Sequence, residues 1–389
     1  MKNTTVILVL HLSAAGAIFA QAQPSPAEIS IRKAQEQIAK QPDHAAYYDS
    51  LAMAYARRAR ETSDVAYYQK AEETLKRSSE ISPEDFEAGK VQTWLLLGRH
   101  EFARALESAT KLNRKVPDDV LVYGYLADAN TELGNYPDAV KAVQWMLTLR
   151  PGNIPGLTRA AYQRELHGDI TGAIELMRMA HDSTPFQELE DRAWILTQIA
   201  HLYLINGNLE EAGQYAKGAL DLFSGYHYAQ GTLAQVRMEQ KRYDEAIALL
   251  EARYKAAPHA ENLFSLADAL DRGGKKTEAA QAFAQFEQMS LRESGIGDNS
   301  NHELIAYYVD YAKQPEKALK IAEQELARRH DVLTVDAHAW ALAALGRYEE
   351  ANTELHQALA VGIKDPKVLH HAEVIAAHLG HSPTETASR

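Results

Sequence analysis

The sequence predicts an all-α chain, a solenoid of stacked helical hairpins wound into a right-handed superhelix. Three observations carry that expectation. Small anchoring residues recur at Ala139, Ala173, Ala212, Ala246, Ala279, Ala318 and Ala351, spaced 34, 39, 34, 33, 39 and 33 residues apart. Turn and stop residues recur in step with them, as in Leu133-Gly134-Asn135-Tyr136 before Ala139 and Pro151 after it. No segment alternates apolar and polar residues in the manner of a strand. A lone hairpin cannot bury its apolar stripe, so units repeated at this period must stack on their neighbours.

Taken in order, Met1–Ala22 reads as a secretory signal peptide, with Lys2, an apolar run from Val6 to Ala20 and the small-x-small site Ala20-Gln21-Ala22. The run is about 15 residues, short of the ~20 that span a bilayer, so the mature chain is expected to start at Gln23 and to lack a transmembrane helix. Residues 23–42 hold a leading helix from Pro26 to Lys40, opened by a Ser25/Glu28 capping box with proline at the first helical position. Residues 43–363 hold about nine units. The first, Asp43–Pro83, carries Leu51, Tyr55, Ala71 and Leu75, with about seven extra residues around Arg60–Val65 read as a longer loop between its helices. The second, Glu84–Pro117, carries Trp94, Leu97, Gly98, Phe102 and Ala103. Later units show His167-Gly168-Asp169, Gly207-Asn208-Leu209, Arg242-Tyr243-Asp244 and Leu345-Gly346-Arg347 ahead of their alanines. Residues 364–380 form a capping helix from Pro366 to Leu379, and 381–389 are expected to be a disordered tail.

The pattern resembles the tetratricopeptide repeat, a 34-residue helix–turn–helix unit with a Gly-x-Tyr-x-x-Ala turn and a closing proline. Its physical logic is legible here. Glycine permits a left-handed residue at the end of the first helix, alanine lets the two helices approach closely, and proline stops the second. The stretch Asn301–Gly380, with Asp336-Ala337-His338-Ala339-Trp340 and His371-Ala372, looks like the C-terminal end of a group of exported bacterial proteins of this family. The resemblance implies export and fold, and brings no activity or ligand.

Composition narrows the function. The 389 residues carry 41 Lys and Arg against 53 Asp and Glu, a formal charge of −12. That disfavours nucleic acid as a partner, which demands a basic face, and anionic lipid. With no cysteine, disulfides, thiolate metal sites and a cysteine nucleophile are excluded. The nucleophile elbow, the phosphate-binding glycine loop and the His-Glu-x-x-His helix are all missing. No cofactor, resident metal or enzymatic activity is therefore expected. Asp298, Asn299, Ser300, Asn301 and Glu303 resemble an oxygen-rich calcium loop, but Ser300–Glu303 reads better as a capping box. Five of the sixteen histidines, His356, His370, His371, His378 and His381, fall late in the chain and suggest a metal carrier or enzyme only as a lesser alternative.

The leading functional expectation is an exported scaffold for protein interaction or complex assembly in the bacterial periplasm or envelope. Solenoids of this kind bind on the concave face, which the first helix of each unit lines. If each anchoring alanine is position 20, the wall falls near positions 5, 9 and 12. Candidate groove residues are then Tyr162, His201, Gln235, Phe264, Asp268, Asp271, Glu303, Tyr307, Asp310, Asp336 and Trp340. The C-terminal half is acidic and aromatic and has no Lys or Arg at these positions. It therefore lacks the basic clamp with which relatives hold acidic tails, and suits a segment bearing Lys or Arg through complementary field and cation–π contact. Inter-repeat packing remains the competing role for the same residues. Envelope polysaccharide is the alternative ligand.

Overall fold

The computed structural model describes residues 24–62 and 64–380. The expected leader at 1–22 and tail at 381–389 lie outside the described residues.

The described residues form twenty α-helices and one π turn, and no strand. A leading helix α1 (Pro26–Lys40) precedes nine hairpins. The first four are α2–α3 (Ala45–Thr62, Ala66–Ile81), α4–α5 (Phe86–Gly98, Phe102–Lys115), α6–α7 (Val120–Glu132, Tyr136–Leu149) and α8–α9 (Ile154–Leu166, Ile170–Ser183). Next come α10–α11 (Leu189–Ile205, Leu209–Leu222), α12–α13 (His227–Glu239, Tyr243–Ala256) and α14–α15 (Ala260–Arg272, Lys276–Glu293). In the eighth, α16 (Asn301–Ala306) runs into the π turn Tyr307–Tyr311 and is followed by α17 (Pro315–Leu326). The ninth is α18–α19 (Val332–Ala344, Tyr348–Ala360), and α20 (Pro366–His378) closes the stack.

The turn inside each hairpin explains the period. A residue of positive φ stands five positions before each anchoring alanine from the second hairpin to the ninth: His100, Gly134, Gly168, Gly207, Lys241, Gly274, Lys313 and Gly346. In most of them the next amide then bonds back to the carbonyl five residues earlier, as in Asn135 N–H to Asn130 O at 2.8 Å, which is the Schellman closure of a helix end. This corrects the second unit. His100, not Gly98, is its left-handed residue, and the buried alanine is Ala105 (0% exposed), not Ala103. The anchors Ala139, Ala173, Ala212, Ala246, Ala318 and Ala351 are likewise 0% exposed, so the two helices touch where the side chain is smallest.

The seven extra residues of the first unit do not form a loop. They lengthen α2 to 18 residues, ending at Thr62. The physical reason is the company they keep. Glu61 accepts from the Ala27 amide (3.0 Å) and from the Ser25 hydroxyl (2.5 Å), and Arg58 bridges Glu28 (2.7 Å) and Glu61 (2.8 Å). The start of α1 is thus clamped to the end of α2, and both halves of the Ser25/Glu28 capping box are made. The other two long spacings are handled similarly, by a 17-residue α10 and an 18-residue α15.

The core runs along the stack. One continuous cluster joins α12 to α18 through Leu263, Phe286, Leu304 and Tyr308, with Phe286 0% and Tyr308 1% exposed. Each large side chain so buried contributes about 1.5–3 kcal/mol. The first helices of neighbouring hairpins pack on one another at α2–α4, α4–α6, α6–α8, α10–α12 and α16–α18. First helices therefore form the inner, concave wall.

The winding brings late hairpins back onto early ones. Arg57 pairs with Glu188 at 2.8 Å, Arg60 with Glu190 and Asp191, and His227 Nε2 meets the Arg60 carbonyl at 3.1 Å. Further along, Arg329 pairs with Glu132, the His330 amide donates to the Glu132 carbonyl at 3.0 Å, and the Val332 amide donates to the Tyr136 hydroxyl at 2.7 Å. Glycines let the backbones meet. A Cβ at Gly134 would lie 2.7 Å from the His330 carbonyl oxygen, and one at Gly168 or Gly297 would collide with the carbonyls of Gly362 or Arg99. Hairpins one to four thus rest on hairpins five, six, eight and nine and on α20 along one seam.

Candidate functional site

The inner wall is built from side chains one repeat apart that reach for one another. Arg159 clasps Asp128 through Nε (2.8 Å) and Nη2 (2.5 Å). Gln163 donates to Thr131 at 2.7 Å. His201 bonds Glu165 at 3.0 Å, Tyr311 donates to Asp268 at 2.5 Å, Trp340 donates to Asp310 at 3.0 Å, and His371 meets Asp336 at 2.9 Å. These links form a polar ladder that ties each first helix to the next.

The ladder decides where the sequence-derived groove residues stand. Asp268, Asp310 and Trp340 are rungs. Asp336 is 3% exposed, and Trp340 stacks on its partner His371 at 4.1 Å, so this pair fastens α20 to the ninth hairpin. Phe264 and Tyr307 serve packing: Phe264 lies 5.2 Å from Phe286, and Tyr307 stacks on Phe283 at 5.3 Å. Burial pushes the His201 imidazole down, but the Glu165 carboxylate outweighs it and holds the ring above its ordinary value. Asp271 takes Lys276 at 2.9 Å. Gln235 and Asp310 are exposed on the wall. Tyr162, 36% exposed, lines a cavity of about 370 Å³ with Asp128, Glu132, Arg159, Gln163 and Arg329. Burial, with Glu132 and Asp331 nearby, holds its phenol well above the usual range.

Two expectations are corrected. The wall does carry basic side chains: Arg159 stands one residue past the register position Thr158, and Arg329 reaches in from the loop before α18. Ser300 does not open a capping box, because its side chain caps no amide and instead meets the Ser290 hydroxyl at 2.6 Å. The surrounding loop is fastened by Glu325, which accepts from Asn299 (3.1 Å) and Asn301 (2.7 Å). Arg328 donates to the carbonyls of Gly295 (2.7 Å) and Ile296 (2.6 Å). Glu303 points into the molecule, where burial and the nearby Glu261 raise its carboxyl to about 7. The π turn lets the Ala312 amide reach back to Tyr307 at 2.8 Å, and this extra residue per turn aims Asp310 and Tyr311 at opposite neighbours.

Among the late histidines, His371 is held by Asp336, and His378 stacks on Tyr348 at 4.3 Å. Among the described residues no three His, Cys, Asp or Glu side chains gather in a way that could hold a metal ion, and no helix is long and apolar enough to cross a membrane.

Two segments match tetratricopeptide-repeat family models, residues 93–154 and 203–270. No curated protein matches the chain. Among solved structures, the APC/C hetero-tetramer Cut9–Hcn1 is similar at 13% identity and a TM-score of 0.51, covering 89% of this chain and 59% of that one. The human IFIT1 dimer with m7Gppp-AAAA is similar at 16% identity and a TM-score of 0.52, over 85% of both chains. At these identities the likeness concerns the fold alone. With the family models falling on α4–α7 and on the hairpins around α12, and the same turn closing eight successive hairpins, the chain is a tetratricopeptide-repeat protein.

Proposed function

We propose that the protein is an exported, non-enzymatic scaffold that holds a segment of a partner protein along its inner wall, in the bacterial periplasm or envelope. The supporting observation is the wall itself. The hairpins use their apolar stripes against each other, and the first helices present a continuous polar surface on which Gln235, Asp271 and Asp310 stand accessible or half-accessible. The surplus of acid over base in the chain favours a partner segment carrying Lys or Arg. Export rests on the leader-like first 22 residues.

Site-specific photo-cross-linking tests the wall. A photoreactive residue at Gln235 or Asp271 should give a partner adduct in envelope extract, and one at Lys141 on the exposed side of α7 should not. Equal labelling from all three positions, or none from the two wall positions, refutes the assignment. N-terminal sequencing of the protein from a fractionated cell checks export: Gln23 as first residue supports it, and retention of Met1 in the cytoplasmic fraction contradicts it.

A further inference from the structure

The seam encloses a second surface, away from the inner wall. Between the first two hairpins on one side and the seventh and eighth on the other lies a crevice of about 1170 Å³. One wall comes from the end of α2, from α3 and from the α4–α5 turn. The other comes from residues 256–261 and 293–300, with Tyr228 between them. No single repeat could make this space, because it exists only where the superhelix returns on itself.

Its charge is unbalanced. Asp64, Glu72, Glu73, Glu261, Glu293 and Asp298 line it, against Arg60, Lys76 and Arg99. Two of those cations are already taken up, Arg60 by Glu190 and Asp191 and Arg99 by Glu72. Lys76 is exposed at the rim. Glu293 and Asp298 are half-buried, and neither forms an ion pair with an Arg or Lys among the described residues. Burial pushes the Glu293 carboxyl up, and the charges of Asp298 and Glu261 add to the effect. Tyr68 stands close enough to Asp298 for its hydroxyl to be pushed up by burial and by that charge. The Tyr68 ring also packs over Gly98, where a Cβ would lie 3.0 Å from it. Carboxylates this crowded in a partly dry space attract a cation. Tyrosine rings beside them suit a cation that arrives on an aliphatic stem, because the stem packs on the ring while the charged head meets the carboxylates.

We propose that this inter-turn crevice is a binding site for a protein segment bearing Lys or Arg, its charged head between Glu293 and Asp298 and its stem along Tyr68 and Tyr228. The site goes beyond the inner-wall reading and stands or falls separately from it. Since its two walls belong to hairpins far apart in sequence, an occupant would also bridge the seam.

The probe is a fluorescein-labelled octapeptide of alternating Lys and Ala, with the Gln–Ala octapeptide as control, titrated into Gln23–Arg389 and followed by anisotropy. Two double variants remove the same charge from different places, Glu293→Gln/Asp298→Asn in the crevice and Asp271→Asn/Asp310→Asn on the wall. The expected result is binding of the Lys peptide but not the Gln peptide, weakened at least tenfold by the crevice variant and less than twofold by the wall variant. Equal weakening by both variants would show general attraction to an acidic protein and overturn the site. Loss in the wall variant alone would overturn it while favouring the wall. No binding by the parent chain overturns it outright. Thermal melts check that each variant folds, and should the crevice double variant melt early, Asp298→Asn alone decides on the same criteria.

Discussion

Arg60 offers the most demanding test of the seam, because its chief partner is buried. Glu190 is 2% exposed, accepts from the Tyr226 hydroxyl at 2.6 Å and faces the Arg60 guanidinium. Changing Arg60 to Met removes the cation and leaves that carboxylate with one neutral donor. Breaking a buried pair in this way costs about 3–5 kcal/mol. The Arg60 side chain is 30% exposed, so water can enter where the guanidinium was, and the lower end of the range, about 3 kcal/mol, applies. Asp191 adds little, since it is 36% exposed and keeps Arg57 at 3.4 Å. Glu190→Gln alone loses a charge-assisted bond and retains an oxygen for Tyr226, for about 1.5 kcal/mol. Once residue 190 is neutral, Arg60→Met should cost only about 1 kcal/mol more, because no buried charge is stranded. The coupling between the two positions is then about 2 kcal/mol. Urea titrations followed by Trp fluorescence, with Trp194 on α10 as the local reporter, and by far-ultraviolet circular dichroism would measure all three variants. An Arg60→Met cost below about 1 kcal/mol, or simple additivity in the double variant, would refute the claim that this contact closes the superhelix.

Three further outcomes follow from the same structure. Gly297→Ala places a Cβ against the Arg99 carbonyl at a residue with no positive φ, so it should destabilise by about 1–3 kcal/mol through overpacking, seen in thermal melts; a neutral result would mean that the α4–α5 turn does not touch this loop. Ala246→Leu, at a residue 0% exposed between α12 and α13, should cost about 1–3 kcal/mol for the same reason, and no loss would mean the repeat register is misplaced. The Glu303 carboxyl, raised by burial to about 7 from 4.5, binds a proton more tightly folded than unfolded, so its contribution is complete below pH 4.5 and fades as pH rises through 7. Relative to the parent chain, Glu303→Gln should therefore gain in melting temperature between pH 5 and pH 8, and a pH-independent difference would contradict the buried placement of Glu303.

The hairpins were legible because their determinants are local. A left-handed residue five before a buried alanine, and a proline after the second helix, can be read within one 34-residue window. Where the left-handed residue is not glycine, as at His100, the window misleads by two residues and Ala103 is taken for Ala105. The inner wall was half-legible. Register placed Asp268, Asp310 and Asp336 on it, but could not say that a donor on the next hairpin would meet each one. A signal did exist: Asp128 and Arg159, Glu165 and His201, and Asp336 and His371 lie about one repeat apart and are chemically complementary. The seam was illegible. Arg57 and Arg60 meet residues 130 or more positions away, and the seam has no period, since it depends on how tightly the superhelix winds. That pitch is a sum of small packing angles which no short motif encodes. The longer α2 was misread for the same reason, because the partners that keep it helical belong to α1 and α10.

The closed superhelix underlies every functional claim made for this chain, and two amides report on it directly. The His330 amide donates to the Glu132 carbonyl and the Val332 amide to the Tyr136 hydroxyl, although both sit at the start of α18, where a helix supplies no acceptor of its own. Site-resolved hydrogen exchange on the unmodified protein should find both amides protected, and Arg329→Ala should release them together while the α12 amides stay slow. Exchange of both at the rate of an unstructured loop in the parent chain would show that the turns do not meet and that the superhelix stands open.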